Sequence, residues 1–173
     1  MLRPVDIRTH LPEVLRAFGG QNALLTAGDR TAANTMTIGW CQAGRLWNLP
    51  VCTVYVRPER YTYGFMEAQD YFTVSVLPAE HRKTMALCGS QSGRDVDKFA
   101  ACGLTLAYGA GDAPYPEQSE LVLVCRKLYV QDMDAACVRA EPEIARFYGE
   151  PGGWHRIYTG QIVEIYSSGT EEL

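Results

Sequence analysis

The sequence predicts a mainly β protein, an antiparallel barrel with short flanking helices. Three observations carry that prediction. Several short runs rich in β-branched and aromatic residues are bounded by Gly or Pro. They are not separated by regular helices, as the strands of a doubly wound parallel sheet would be. No G-x-G-x-x-G follows a strand, so nothing marks a Rossmann dinucleotide site.

Taken in order, Leu11–Phe18 reads as a short helix, with Pro12 near its start and Gly19-Gly20 at its end. Asn22–Ala27 reads as a strand that turns at Gly28-Asp29-Arg30. Thr35–Trp40 is the next strand. Gly44–Pro50, holding Trp47 and Asn48, reads as a connection that either covers a ligand or only joins two strands. Val51–Val56 is β-branched and aromatic, and Pro58 stops it. Tyr61–Ala68 reads as a helix, Tyr71–Val76 as a strand closed by Pro78, and Glu80–Leu87 as a helix stopped at Gly89. Val96–Ala100 reads as a short helix capped by Asp95. Leu121–Val124 opens a long apolar strand that alternates too poorly to have a solvated face. Arg156–Tyr166 alternates well enough to be the last strand.

The 173 residues suit one domain, expected over 1–173, with no repeat, low-complexity tract or linker. A net charge of -4 argues against a general nucleic-acid binder, which is usually basic. No apolar run nears the roughly 18 residues that cross a membrane. The six cysteines include no C-x-x-C pair, so no metal or iron–sulfur site is expected. Without a secretory h-region or N-x-[ST] sequon, reduced thiols and a cytoplasmic location are expected.

Three segments carry candidate chemistry. Asn34-Thr35-Met36-Thr37-Ile38-Gly39-Trp40 offers short polar side chains, a close backbone approach at Gly39 and a planar wall at Trp40. Arg57-Pro58-Glu59-Arg60-Tyr61-Thr62 places two arginines at a strand end. Ser90-Gln91-Ser92-Gly93-Arg94-Asp95 can turn backbone N–H groups toward an anion, and Arg94 adds a guanidinium fork. Together they suit a flat, phosphorylated ligand. Each segment taken alone also fits a bland reading: a solvated edge strand, an exposed arginine corner, or a polar loop before a capped helix.

These segments, in this order, resemble the flavin reductase-like family of FMN-binding split β-barrels, which includes the flavoredoxins. Ser92-Gly93-Arg94-Asp95-Val96-Asp97-Lys98-Phe99 resembles the family pattern, and so does Trp154-His155-Arg156-Ile157-Tyr158-Thr159-Gly160-Gln161-Ile162. The resemblance runs roughly from Leu24 to Tyr166 and implies a Greek-key split barrel that binds FMN. It matches Asn34, Thr35, Met36, Thr37, Ile38, Gly39 and Trp40 to the strand lining the flavin. Arg57, Arg60 and Thr62 match a phosphate-holding corner, and Ser92, Gly93, Arg94 and Asp95 a closing loop, beside which Ser90 is a candidate on its own chemistry. Ser75 falls where the family often has Asn on a second lining strand. His155 is the candidate catalytic residue, as a proton donor or nicotinamide contact, because histidine titrates near neutral pH.

The resemblance implies an NAD(P)H-dependent flavin reductase taking NADH or NADPH as donor, and a homodimer with flavin near the subunit boundary. The alternative is a flavoredoxin-type electron carrier whose FMN is reduced by a redox protein partner. A weaker reading keeps the fold for another planar ligand, haem or a deazaflavin. Neither nucleic acid nor membrane is an expected partner.

Overall fold

The computed structural model describes residues 1–7, 9, 10, 14, 22–139, 144–148 and 153–169. The helix expected over Leu11–Phe18 lies outside these residues, apart from Val14, which is helical and buried. The strands are β1 (Arg3–Pro4), β2 (Ala23–Gly28), β3 (Ala33–Ile38), β4 (Cys41–Leu46), β5 (Leu49–Val56), β6 (Tyr71–Val76), β7 (Leu106–Tyr108), β8 (Pro114–Pro116), β9 (Leu121–Asp132) and β10 (Arg156–Ser167). The helices are α1 (Tyr61–Ala68), α2 (Arg82–Ser90) and α3 (Lys98–Cys102). Among the described residues no helix is long and apolar enough to cross a membrane.

The main sheet runs β3-β2-β6-β9-β10-β5-β4, with β1 pairing the end of β10, and every pairing is antiparallel. β3 and β4 are consecutive in the chain yet stand at opposite ends of this order. Only Gly39 and Trp40 lie between them, and such a link reaches about 10 Å. The sheet must therefore curl until its two ends meet. The result is a barrel split along the β3–β4 seam: the antiparallel barrel follows the strand pattern, and the split form is what the family resemblance implies.

Alternation sorts the side chains between the two faces. Leu25, Val54, Phe72, Val74, Leu123, Cys125, Tyr158 and Ile162 fill the barrel interior. Leu24, Leu77, Cys88 and Leu104 form a second cluster where α2 and α3 cover the outside. β9 is buried on both faces over Leu121–Cys125. Leu121, Leu123 and Cys125 point into the barrel, whereas Val122 and Val124 pack under Ala113 and Tyr115. The poor alternation of that segment is thus accounted for within one chain.

Among the boundaries that differ from the sequence reading, three bear on the site. Gly44–Pro50 is not a loop: β4 and β5 form a hairpin that turns at Trp47-Asn48, whose φ angles are 50° and 60°. Two left-handed residues make the hairpin turn that follows sheet twist, and the missing Gly hides it in the sequence. Pro50 is tolerated because the β10 pairing of β5 begins only at Val51. Next, α2 runs through Gly89 to Ser90. Gly89 is there for contact, since a Cβ would stand 3.3 Å from Thr37 Cβ. Finally, α3 is capped by Asp97 and not by Asp95. The Asp97 carboxylate accepts from the amides of Phe99 (3.0 Å) and Ala100 (3.1 Å).

Candidate functional site

β3 ends the sheet, so one edge of its backbone has no strand neighbour. The Thr35 carbonyl points out of that edge, because it accepts from Lys98 Nζ at 3.0 Å. In an antiparallel strand, alternate residues send both backbone groups the same way. The amide and carbonyl of Thr37 therefore face the free edge too. Two helices clasp this edge. Asn34 Nδ2 donates to Thr62 Oγ1 at 2.8 Å, tying the start of α1 to β3. Thr37 Oγ1 donates to the Met85 carbonyl at 2.6 Å, tying α2 to β3.

Between these elements lies a cavity of about 230 Å³, bounded by Asn34, Met36 and Thr37, by Glu59–Thr62, by Cys88–Arg94 and by Lys98. Its character is cationic. Arg60 has no side-chain hydrogen bond or ion pair among the described residues. Arg60 also precedes α1 without capping it, and the first turn holds no acid. The positive end of the helix is left uncompensated, with Tyr61 and Thr62 on the cavity wall. Lys98 is buried and gives two of its three donors to the carbonyls of Thr35 (3.0 Å) and Cys88 (2.9 Å). Its burial, with some help from Arg60, pulls its pKa below the usual lysine range.

The 91–95 turn closes the cavity. Arg94 N donates to Ser92 Oγ at 3.2 Å, and the amides of Asp95 and Val96 donate to the Ser92 carbonyl. Gly93 lets the turn come close, since a Cβ would fall 2.1 Å from Asn34 Oδ1 and 2.7 Å from the Tyr61 ring, and turn or side chains would have to shift. Arg94 lies over Tyr61, 5.2 Å from its centroid, and donates to the Glu59 carbonyl at 3.2 Å.

A second cavity of about 290 Å³ abuts the first, sharing Met36, Thr37 and Arg60. Ile38, Gly39, Trp40, Tyr55, Arg57 and His155 complete it. Trp40 meets Phe147 edge-on at 5.2 Å and His155 at 5.1 Å. His155 Nδ1 is 3.1 Å from Tyr148 Oη. Burial, with Arg57 and Arg60 nearby, pulls the His155 pKa down to about 4, so the ring is neutral at neutral pH. Arg57 donates to the Phe147 carbonyl, stands over the Tyr148 ring and pairs with Glu59 at 3.8 Å. It ties the 144–148 segment to the barrel.

The first cavity gathers Asn34, Met36, Thr37, Arg60, Thr62, Ser90, Ser92, Gly93 and Arg94, and the second adds Ile38, Gly39, Trp40, Arg57 and His155. Arg57 therefore stands on the aromatic side and does not line the first cavity, whereas Arg60 lines both. Thr35, Ser75 and Asp95 line neither cavity. The Thr35 side chain bonds Thr26 Oγ1 and the Leu25 carbonyl in the interior. Ser75 is buried mid-sheet opposite Leu24 and Val122. Asp95 is exposed on the turn. The Ser90 hydroxyl lines the cavity but donates back to the Ala86 carbonyl at 2.8 Å. Sequence reasoning missed Lys98 and the bare edge of β3. The lysine stood inside the quoted Asp-Lys-Phe pattern, but a lysine after a helix cap reads as solvated. Cys41 and Cys88 stand near the site, and burial pushes both thiols up to about 12, so neither is a ready nucleophile. All six cysteines are free.

The split antiparallel barrel sets a cationic cavity beside an aromatic one, both on a bare strand edge, the surfaces that a flat, anionic small molecule calls for. The chain belongs to the flavin reductase like domain family, whose model matches residues 15–172. The flavoredoxin of Methanosarcina acetivorans has a similar structure at 24% identity and a TM-score of 0.69, over 88% of this chain and 70% of that one. An FMN-binding domain of a flavin reductases-like enzyme from Shewanella baltica OS155 is similar at 22% and 0.69, over 96% and 77%. The NADH:FAD oxidoreductase of Streptomyces globisporus C-1027, solved with NAD and FAD fragments, is similar at 20% and 0.61, over 93% and 84%. No curated protein matches the chain.

Proposed function

We propose that the chain is an FMN-binding oxidoreductase, an NAD(P)H-dependent flavin reductase that moves hydride from a nicotinamide to flavin. The observation that carries this reading is the pairing of the two cavities. One has an arginine with no hydrogen bond or ion pair among the described residues, a buried lysine and an open helix N-terminus for a phosphate. The other has a bare strand edge and an aromatic wall for a flat polar ring. The absence of a side chain at Gly93 lets the 92–94 turn approach Asn34 and Tyr61 at the cavity wall.

When bound, FMN supplies the ring position that accepts a hydride and passes electrons on. The chain's own residues bind and orient. Arg60, Arg94 and Lys98 hold the phosphate, with the first-turn amides of α1 and the 92–94 turn. The free backbone groups of Thr37 read the polar ring edge. Trp40 and His155 wall the other side and keep water from it. A neutral His155, held by Tyr148, contacts nicotinamide as a hydrogen-bonding group and does not deliver a proton as imidazolium.

A second reading, an electron carrier of flavoredoxin type, is favoured by the exposure of Trp40 and Phe147 at the rim of the aromatic cavity. Such a rim suits a redox protein partner. Anaerobic visible spectroscopy separates the two readings. The purified protein, alone or given FMN, is expected to absorb as a flavoprotein and to bleach within seconds on NADH or NADPH. Bleaching by dithionite alone would favour the carrier. A protein that neither is yellow nor quenches added FMN would end both readings.

A further inference from the structure

Cys88 and Cys102 meet where the last turn of α2 reaches the end of α3, and their thiols stand within hydrogen-bonding reach of each other. Cys88 belongs to the buried cluster of Leu24, Leu77 and Leu104, and Cys102 packs half-buried against that cluster. Cys52 and Cys125 stand within the same reach, but inside the barrel, where both are fully buried. We infer that Cys88 and Cys102 form a reversible oxidation site: hydrogen peroxide joins them as a disulfide between α2 and α3, and that bond tightens the hold of the phosphate cavity on FMN. The bridging stands apart from the flavin reading above, whereas its effect on FMN rests on that reading.

The asymmetry of the pair sets the order of events. Cys102 is the thiol that solvent reaches. Its sulfur takes an oxygen from peroxide as the O–O bond breaks, giving a sulfenic acid and one water. The Cys88 sulfur then displaces that oxygen as the S–S bond forms, and the Cys88 proton leaves with it as a second water. Two thiols and one peroxide thus give one disulfide and two waters, each sulfur losing one electron. Burial, with the Cys102 thiol beside it, holds the Cys88 pKa above the usual thiol range, so Cys88 does not itself meet the peroxide. Contact with Cys102 supplies the high local concentration that the second step needs. The Lys98 ammonium, which donates to the Cys88 carbonyl at 2.9 Å, favours departure of the Cys88 proton. Cys52 and Cys125 share the contact but lack the access, so the barrel pair stays reduced.

What the bond encloses decides its effect. The loop closed from Cys88 to Cys102 contains the 91–95 turn, the Asp97 cap and Lys98. These supply the wall of the phosphate cavity that comes from neither β3 nor α1. Cross-linking the two ends of that wall restricts it before any ligand arrives. Binding then orders less, and the gain appears as slower release.

The test is peroxide treatment of the whole chain, followed by alkylation and digestion after Lys, Arg and Glu, which puts each of the six cysteines on its own peptide. Mass spectrometry is expected to find Cys88 joined to Cys102, with Cys52 and Cys125 free, and dithiothreitol to undo the bond. Fluorescence titration is expected to show FMN held about threefold to tenfold more tightly by the oxidised protein than by the reduced one, with riboflavin changing less. Cys102→Ser, at a position that lines neither flavin cavity, is expected to bind FMN as the reduced wild type does and to ignore peroxide. Peroxide that leaves Cys88 and Cys102 unbridged, or joins other cysteines instead, overturns the inference; this readout uses the wild type and needs no variant to fold. A Cys88–Cys102 bond that leaves FMN affinity unchanged or lower overturns it too, as does a gain that Cys102→Ser shows equally. If the bond forms but the reduced protein binds no FMN, the flavin reading fails and the oxidation site stands.

Discussion

Arg60 and Arg94 are chemically alike but differently held. Arg94 spends one donor on the Glu59 carbonyl and stacks on Tyr61, whereas Arg60 has no such commitment among the described residues. Arg57 is tied to Phe147 and Glu59 on the aromatic side. Arg60→Ala and Arg94→Ala are therefore each expected to weaken FMN about tenfold to a hundredfold, the worth of a charge-assisted hydrogen bond, and riboflavin far less. Arg57→Ala is expected to affect the two ligands alike. Fluorescence titration of both flavins into the three variants checks this. Equal losses for FMN and riboflavin in Arg60→Ala and Arg94→Ala would make those residues structural.

His155 gives a prediction in pH. Its folded pKa is about 4, against 6.5 for an ordinary histidine. Below pH 6.5 the unfolded chain takes up a proton that the folded ring refuses, so stability is full above that pH and falls as pH drops toward 4. At about 1.4 kcal/mol per unit, the loss reaches at most about 3 kcal/mol. Urea midpoints measured at about pH 7 and pH 4.5 are expected to fall less in His155→Phe than in the wild type. An identical fall in both would show that His155 is not the group responsible.

At the scale of elements, α3 is short and lies over the cavity because Lys98 begins it. Five residues make a weak helix by themselves, so the Asp97 cap and the left-handed Gly103 at its end matter in proportion. Asp97→Ala is expected to cost about 1 kcal/mol, within the range for lost caps, whereas Asp95→Ala costs little. Thermal unfolding of the two variants distinguishes them. If Asp95→Ala is the more damaging, the cap has been placed on the wrong aspartate. Gly93→Ala should leave the fold but displace the turn from Asn34, lowering flavin affinity without removing a single polar group. The three devices act on one object, the bare edge of β3, which α1, α2 and α3 each touch from a different side.

At the scale of the molecule, the β4–β5 hairpin and the outer face of the sheet leave large apolar groups in solvent. Leu46 and Trp47 are 40% and 59% exposed, and Trp47 meets the exposed Tyr129 at 6.3 Å. A hairpin tip of this kind is a natural seat for another copy, and two-fold dimers are the commonest assembly. Sedimentation equilibrium at micromolar concentration is expected to give twice the 19.2 kDa chain mass, and Trp47→Lys to shift it toward the monomer. A wild-type monomer that still binds FMN would show that the dimer is not needed for the site.

The sequence by itself determined the strands whose composition is unambiguous and the absence of a parallel α/β layout, and it carried the polar residue types that line the cavities. Asn34–Trp40, Arg57–Thr62 and Ser90–Arg94 each carry their chemistry in local residue types, and local types survive whatever the fold does with them. Only the tertiary structure decided how the segments divide the work. Thr35 and Thr37 look equivalent along the chain, but Thr35 turns its side chain into the interior while Thr37 bonds α2. Arg57 and Arg60 are three residues apart, yet Arg57 lines only the aromatic cavity whereas Arg60 stands between it and the cationic one. Lys98 looks like a solvated lysine until α3 docks and buries it against two carbonyls. The bare edge of β3 exists only because the sheet's strand order puts β3 last, and that order comes from pairings between residues far apart in sequence. Composition and periodicity record what each segment prefers locally, whereas an edge, a seam and a shared cavity are properties of segments brought together.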